Sequence, residues 1–290
     1  MIRLVLLALA ALASPAAAQH RAAELEALLA ADRAFAAAAA DAPTAADGVL
    51  AMLDTQVVMP AGPAGLVAGR EAVVAILRAN PAWQEGRGSW APVRGGISAD
   101  GTHGFTFGFL TLGAGDPARR ERKYLAYWIR RPQGWRAVAW RQVPRAPGAV
   151  STEMLAPSLP THSAAPGGDG EAHRAGLHAA EQAFSDHAQQ VGLRAAFRDH
   201  AREDAMNMGA GPGFVFGPAA ISEAVAPEGS TSPVRWSTER SFVAPAGDLG
   251  VSIGTIRVNG PVPEGQPASF PFFTIWRRDG PQDPWRYIAE

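Results

Sequence analysis

Apolar and polar positions along this chain follow patterns that are each written twice. Leu25, Leu28, Leu29 and Phe35 share one stripe of a helical period, and Leu28 and Phe35 return as Leu177 and Phe184, 149 positions on. A second, shorter helix is expected over 45–53 and again over 193–200. Hairpins follow, 56–59 with 66–68 and 205–208 with 214–216, each around a Pro/Gly-rich turn. A third helix begins just after Gly69 in one copy and just after Gly217 in the other. The rest of each copy reads as strands, 90–98, 104–112, 124–131 and 135–143, then 236–243, 250–258, 270–278 and 285–289. Ala99-Asp100-Gly101 and Pro132-Gln133-Gly134 supply turn chemistry between them.

A repeat this long, with helices and strands inside it, is a duplicated domain rather than a solenoid. The predicted fold is α+β: two copies of a curved, mainly antiparallel sheet packed on one face by about three helices. The first copy covers 22–144 and the second 171–290, with a Pro/Gly/Ser/Ala-rich linker over 145–170 that reads as flexible or semi-extended. One strand carries Gly104-x-Thr106-x-Gly108 and its counterpart carries Gly250-x-Ser252-x-Gly254. Alternation puts both glycines and the hydroxyl on one face and Phe105, Phe107 and Phe109 on the other. Two readings stand for the glycines: close helix packing with sheet bending, or room for a ligand.

Composition narrows the function classes. With 26 basic and 27 acidic side chains and a net charge of −1, the chain lacks the clustered basic face of a nucleic-acid binder. It has no cysteine, which removes disulfides and thiol chemistry. Residues 1–18 read as a secretory signal, with Arg3 before the apolar run 4–13 and Ala16-Ala17-Ala18 as the cleavage site. That run is too short to span a bilayer, which takes about 20 apolar residues. A periplasmic or secreted location is therefore expected, with no membrane span.

The ordered elements resemble the nuclear-transport-factor-2-like superfamily, and within it the SnoaL-like and ketosteroid-isomerase-like members. The resemblance rests on Leu53-Asp54 leading to Met59-Pro60-Ala61-Gly62, on Gly69-x-x-Ala72-Val73, and on the ending 124–128 with Gly134-Trp135-Arg136. Phe272-Phe273-Thr274-Ile275-Trp276 with Trp285-Arg286-Tyr287 repeats that ending. It implies cone-shaped domains, cystatin-like in outline, with a pocket between sheet and helices. It also implies pairing through outer sheet faces, either between the two copies or in a homodimer. Steroid isomerases of the family use a carboxylate base before the hairpin proline, a tyrosine on the first helix and a protonated acid on a later strand. On this chain those positions fall at Met59 and Met208, at Phe35 and Phe184, and near Leu125–Ala126 and Phe272–Thr274. A thioether is no base and a phenyl ring donates no hydrogen bond, so that mechanism is missing from both copies.

Phe35, Met59, Trp90, Tyr124 and Trp128, with Phe184, Met208, Trp236 and Trp276, are then candidates to line an apolar ligand pocket, the plainer alternative being core. Asp54, Glu203, His200 and Asp204 are the candidates for acid–base work. His200 and Asp204 are spaced as on one helix turn, although a solvated helix end explains them as well. No metal motif and no cofactor fingerprint is present, and none is expected. The leading expectation is an exported tandem protein that binds a small apolar or amphipathic molecule or acts as a structural or interaction module. The alternative is a lyase, isomerase or hydrolase on a small organic substrate. If the leader reading holds, expression with export intact yields a chain that begins at Gln19 by intact mass. A product that retains residues 1–18 in the periplasmic or secreted fraction contradicts it.

Overall fold

A computed structural model describes residues 15–84, 86–113, 119–165, 167–229, 231–280 and 282–290. Most of the expected leader, residues 1–14, lies outside the described residues. The first copy opens with α1 (Pro15–Ala39), whose buried stripe is Leu25, Leu28, Leu29, Asp32, Ala36 and Ala39. Helix α2 (Ala45–Leu50) is capped by Thr44, whose hydroxyl accepts from the Asp47 N–H at 3.1 Å. Then come β1 (Leu53–Pro60), β2 (Leu66–Ala68), α3 (Arg70–Arg78) and a short α4 (Pro81–Gln84). A meander of β3 (Ser89–Ile97), β4 (His103–Thr111), β5 (Arg122–Arg131) and β6 (Gly134–Pro144) completes the copy.

The second copy repeats the order: α5 (Gly170–Val191), α6 (Leu193–His200), β7 (Ala201–Asn207), β8 (Val215–Phe216) and α7 (Pro218–Val225). Its meander is β9 (Val234–Val243), β10 (Leu249–Val258), β11 (Ser269–Arg277) and β12 (Arg286–Ala289). The two six-stranded sheets have the same order, β2-β1-β6-β5-β4-β3 and β8-β7-β12-β11-β10-β9. The fold is therefore the expected α+β duplication.

Two boundaries differ from expectation for one reason. Strand β1 starts at Leu53 and β7 at Ala201, several residues early, because their first residues pair in parallel with the last strand of the copy (Leu53↔Ala137 and Ala201↔Tyr287). That long-range pairing leaves no local pattern. It places Asp204 on a strand, so His200 and Asp204 do not share a helix turn. The part of the expected linker over 145–165 is not a loose tether either. It runs along the edge strand β3, with Leu155 N–H donating to Val93 O at 2.7 Å and Ser158 N–H to Gly95 O at 3.0 Å, and so covers an open edge.

The repeated glycines have a packing role. A β-carbon on Gly104 would stand 2.5 Å from Leu28 Cδ2, and one on Gly250 would stand 2.8 Å from Leu177 Cδ2. On Gly108 and Gly254 it would meet the carbonyl oxygens of Ala91 and Ser237 at 2.0 Å. The first glycine seats the long helix on the sheet, and the second lies beside a register shift that bends it.

The outer faces of the two sheets pack on each other in one continuous apolar layer. Phe105, Phe107, Phe109 and Leu125 meet Val251, Ile253, Phe273 and Ile275 there. Polar groups close its margins. Arg94 donates to Asp204 Oδ2 at 2.7 Å, and Asp248 accepts from the Ala99 N–H at 2.9 Å. Lys123, the only lysine of the chain, is fully buried. Its Nζ donates to the carbonyls of Met208, Gly209 (3.1 Å), Gly211 (2.8 Å) and Gly213 (2.7 Å), all in the second copy. Lys123→Ala strands those acceptors and removes buried methylenes, so a loss of roughly 3 kcal/mol is expected. Urea unfolding measures it, and a loss under about 1 kcal/mol would show that the cage is not what joins the copies.

Candidate functional site

Each cone encloses one carboxyl group carried by its long helix. Asp32 is fully buried among the apolar residues of α1, and Glu181, 149 positions on, is fully buried on α5. Helical spacing from Leu28 and Leu177 directs both acids at the sheet, where aromatic donors meet them. In the first cone Trp90 Nε1 donates to Asp32 Oδ1 at 2.7 Å and the Tyr124 hydroxyl donates to Oδ2 at 2.8 Å. In the second, Trp236 Nε1 donates to Glu181 Oε1 at 2.7 Å, Trp276 Nε1 to Oε2 at 2.8 Å, and the Ser252 hydroxyl also to Oε2. The hydroxyls of the glycine-flanked strands thus face the acids, and Thr106 accepts from Trp128 Nε1 at 2.9 Å.

Burial dominates the electrostatics. It pushes the Asp32 carboxyl above the usual carboxylate range despite the hydrogen bonds from Trp90 and Tyr124. It pushes Glu181 up to about 7 against the donors Ser252, Trp276 and Trp236. A second acid, Glu290, is pushed up to about 8 by burial and then by the Glu181 charge, with Arg141 pulling the other way. Both glutamates line a cavity of about 220 Å³ in the second cone. Its walls are Phe184, Leu193, Phe197, Val225, Val234, Trp236, Ile256 and Phe272, with Asn207 and Thr274 adding polar atoms.

The copies differ at two places that control this space. Strand register pairs Met59 with Val67 and Asn207 with Val215, so the counterpart of Met59 is Asn207. Tyr124 faces Gly108 as Phe272 faces Gly254, so the second cone has a phenyl ring where the first has a phenol bonded to its acid. Met59 and Tyr124 are buried in the core of the first cone. The cavity of the second opens beside Asn207 and Phe272.

The residues singled out from sequence divide accordingly. Phe184 and Trp236 line the cavity, and Trp276 holds its acid. Trp90 and Tyr124 hold Asp32, and Phe35 stacks on Trp128 with ring centroids 6.1 Å apart. Met208 is misplaced by the sequence reading. Its side chain lies in the layer between the sheets because alternation along β7 turns Asn207 inward and Met206 and Met208 outward.

The acid–base candidates do not converge. Asp54 is ion-paired with Arg131 at 2.7 Å beside a surface groove. Burial raises its carboxyl, but Arg131 and the Gln56 N–H outweigh it and hold it below the usual range. Glu203 is exposed. Asp204 pairs with Arg94 at 2.7 Å and Arg202 at 3.2 Å. His200 stacks on Phe184 and its Nε2 lies 3.3 Å from His187 Nδ1; burial, then His187, pushes it down to about 4. Among the described residues no group of three or more His, Asp or Glu side chains is placed to hold a metal ion, and no helix is long and apolar enough to cross a membrane.

Asp32, Glu181 and Glu290 were missed from sequence. The first two carried a signal, one acid inside an apolar helical stripe, repeated at the same offset as Leu28 and Phe35. Nothing local marks Glu290.

No family model matches the chain, and no curated protein matches it. Solved structures do. A DUF3225-family protein from Pectobacterium atrosepticum is 19% identical at a TM-score of 0.32, the match covering 44% of this chain and 94% of that one. An NTF2-like protein from Pseudomonas putida is 17% identical at 0.34, covering 42% and 86%. A domain with a cystatin-like fold from Nostoc punctiforme is 14% identical at 0.32, covering 40% and 76%. The chain is similar to NTF2-like proteins. Each of these matches spans less than half of it, about the length of one cone.

The raised acids give the folded chain a pH signature. An unfolded glutamate releases its proton near 4.3, whereas folded Glu181 and Glu290 keep theirs to about 7 and about 8. Stability from these groups is therefore complete below pH 4 and lost as pH rises through 7 and 8. His103 and His200, neutral in the fold down to about 4, act in the opposite sense only below about 6.5. Between pH 6.5 and 8 the unfolding free energy should fall by about 2 kcal/mol, and Glu290→Gln should remove most of the slope. Urea unfolding across that window checks this, and a rising curve would contradict it.

Proposed function

We propose that the second cone binds a small, largely apolar molecule and that the first cone is its built-in structural partner. The observation that carries this reading is the asymmetry between equivalent positions. Both cones keep the buried acid and its indole donor, but only the second combines Asn207 and Phe272 with a cavity of about 220 Å³ lined mainly by aromatic and branched side chains. A preformed apolar space with a few polar groups is the usual form of a small-molecule site. An engineered apolar cavity of about 150 Å³ takes up benzene, so this one suits a single ring with a short arm. Pairing with the first cone covers the outer face of the second sheet and leaves its concave face to the ligand. Export through residues 1–18 belongs to the same proposal, and the binding reading does not depend on it.

Acid–base catalysis by the candidates named from sequence finds no support, since Asp54, Glu203, His200 and Asp204 do not line this cavity. Glu181 accepts from three donors, an arrangement suited to holding a fixed carboxyl group.

The binding reading is tested by making the second cone resemble the first. Asn207→Met with Phe272→Tyr should fill the cavity and abolish the thermal stabilisation that single-ring hydrophobic probes give the wild-type protein. Filling the space is set against the loss of the acceptor that Asn207 Oδ1 gives the Gly209 N–H at 2.8 Å, so the double variant should keep a cooperative thermal transition close to that of the wild type, which shows that it is folded. Equal stabilisation by the probes in both proteins would place binding elsewhere and overturn the reading.

A further inference from the structure

The cavity of the second cone has an electrostatic character that its apolar walls do not explain. Two carboxyl groups line it, Glu181 and Glu290, and its lining includes no arginine, lysine or histidine. Glu181 already accepts from Trp236, Trp276 and Ser252. Glu290 differs: its Oε2 is buried and has no hydrogen-bond partner among the described residues. An acid oxygen left unpartnered in an apolar space costs stability unless something bound there satisfies it. Four rings, Phe184, Phe197, Phe272 and Trp236, stand among the aliphatic side chains of the remaining wall. Aromatic faces attract cations, most strongly where water is excluded. Acidic oxygens and ring faces around one small space are complementary to a positive charge, and the acids, once ionised, repel an anion.

Resting on the binding reading above, we propose that the second cone's cavity takes a small organic cation, an ammonium group carried on one ring or a short hydrocarbon arm. The hydrocarbon packs among the rings and the ammonium donates to Glu290, with Glu181 contributing charge from its fixed position. The empty site keeps its acids protonated to about 7 and about 8, so a bound cation favours their ionised forms and drives protons into solution. Arg141, on the neighbouring copy, is the cationic group whose charge reaches Glu290 and opposes this attraction.

Isothermal titration with three probes of one skeleton tests the proposal on the full chain: benzylamine as its ammonium ion, benzyl alcohol and benzoate. Benzylammonium should bind roughly ten-fold or more tightly than benzyl alcohol, and benzoate should not bind. Its binding should release protons, read as a dependence of the heat on buffer ionisation enthalpy. In Glu290→Gln the ammonium should fall to the level of the alcohol, while retained alcohol binding shows that the variant is folded. If wild-type protein binds the alcohol as tightly as the ammonium, the cation proposal fails and the apolar-site reading stands. If none of the three binds, both fail.

Discussion

The structure turns on one carboxyl group buried in each cone and held by indole N–H donors. A charge-capable group in an apolar interior costs stability unless its oxygens are satisfied, and satisfying those of Asp32 and Glu181 fixes much around them. The long helix must approach until Asp32 or Glu181 reaches the strands, which is where Gly104 and Gly250 remove the β-carbon that would strike Leu28 or Leu177. Trp90 and Trp236 must turn their indoles inward from an edge strand, at 2.7 Å from the acid in both copies. Thr106 and Ser252 occupy the only inward position between two glycines. Helix register, strand register and sheet bend are thus specified by the same few polar contacts, a use of buried polarity that selects one packing among many.

The same arrangement accounts for what the copies share and where they part. Both cones turn their apolar outer faces to each other, and the polar margin supplied by Lys123, Arg94 and Asp248 binds one copy to the backbone or carboxylates of the other. With the outer faces covered, each cone is free to vary within. The first adds a phenol to its acid through Tyr124 and packs Met59 in its core. The second has Phe272 and Asn207 at those places and a cavity with a second acid, Glu290.

Most of the architecture was legible in the sequence because it rests on periodicity. Helices, meander strands and turns repeat with their apolar spacing intact, and a repeated pattern is read twice. What was not legible depends on pairing across long distances. The starts of β1 and β7 are set by parallel partners at the far end of each copy, so the helix expected over 45–53 stops at Leu50, and Asp204 lies on β7 rather than one helical turn from His200. A one-residue difference in offset then exchanged Asn207 for Met208, and alternation sends neighbouring strand residues to opposite faces. Asp32 and Glu181 were readable in principle, as acids within a stripe that is otherwise apolar. Neither stands out by type, because an acid on a long helix most often faces solvent. Glu290 had no local signature, since only the closed sheet brings it to the cavity.

The most direct test follows the indole protons. In a ¹H–¹⁵N spectrum the Trp236 and Trp276 side-chain resonances, assigned by substitution, should exchange slowly with solvent. They should shift together with one midpoint near pH 7, reporting the Glu181 carboxyl they both contact. Indoles that exchange rapidly, or that show no shared titration between pH 5 and 9, would mean that the acid is not caged where the rest of the account requires it.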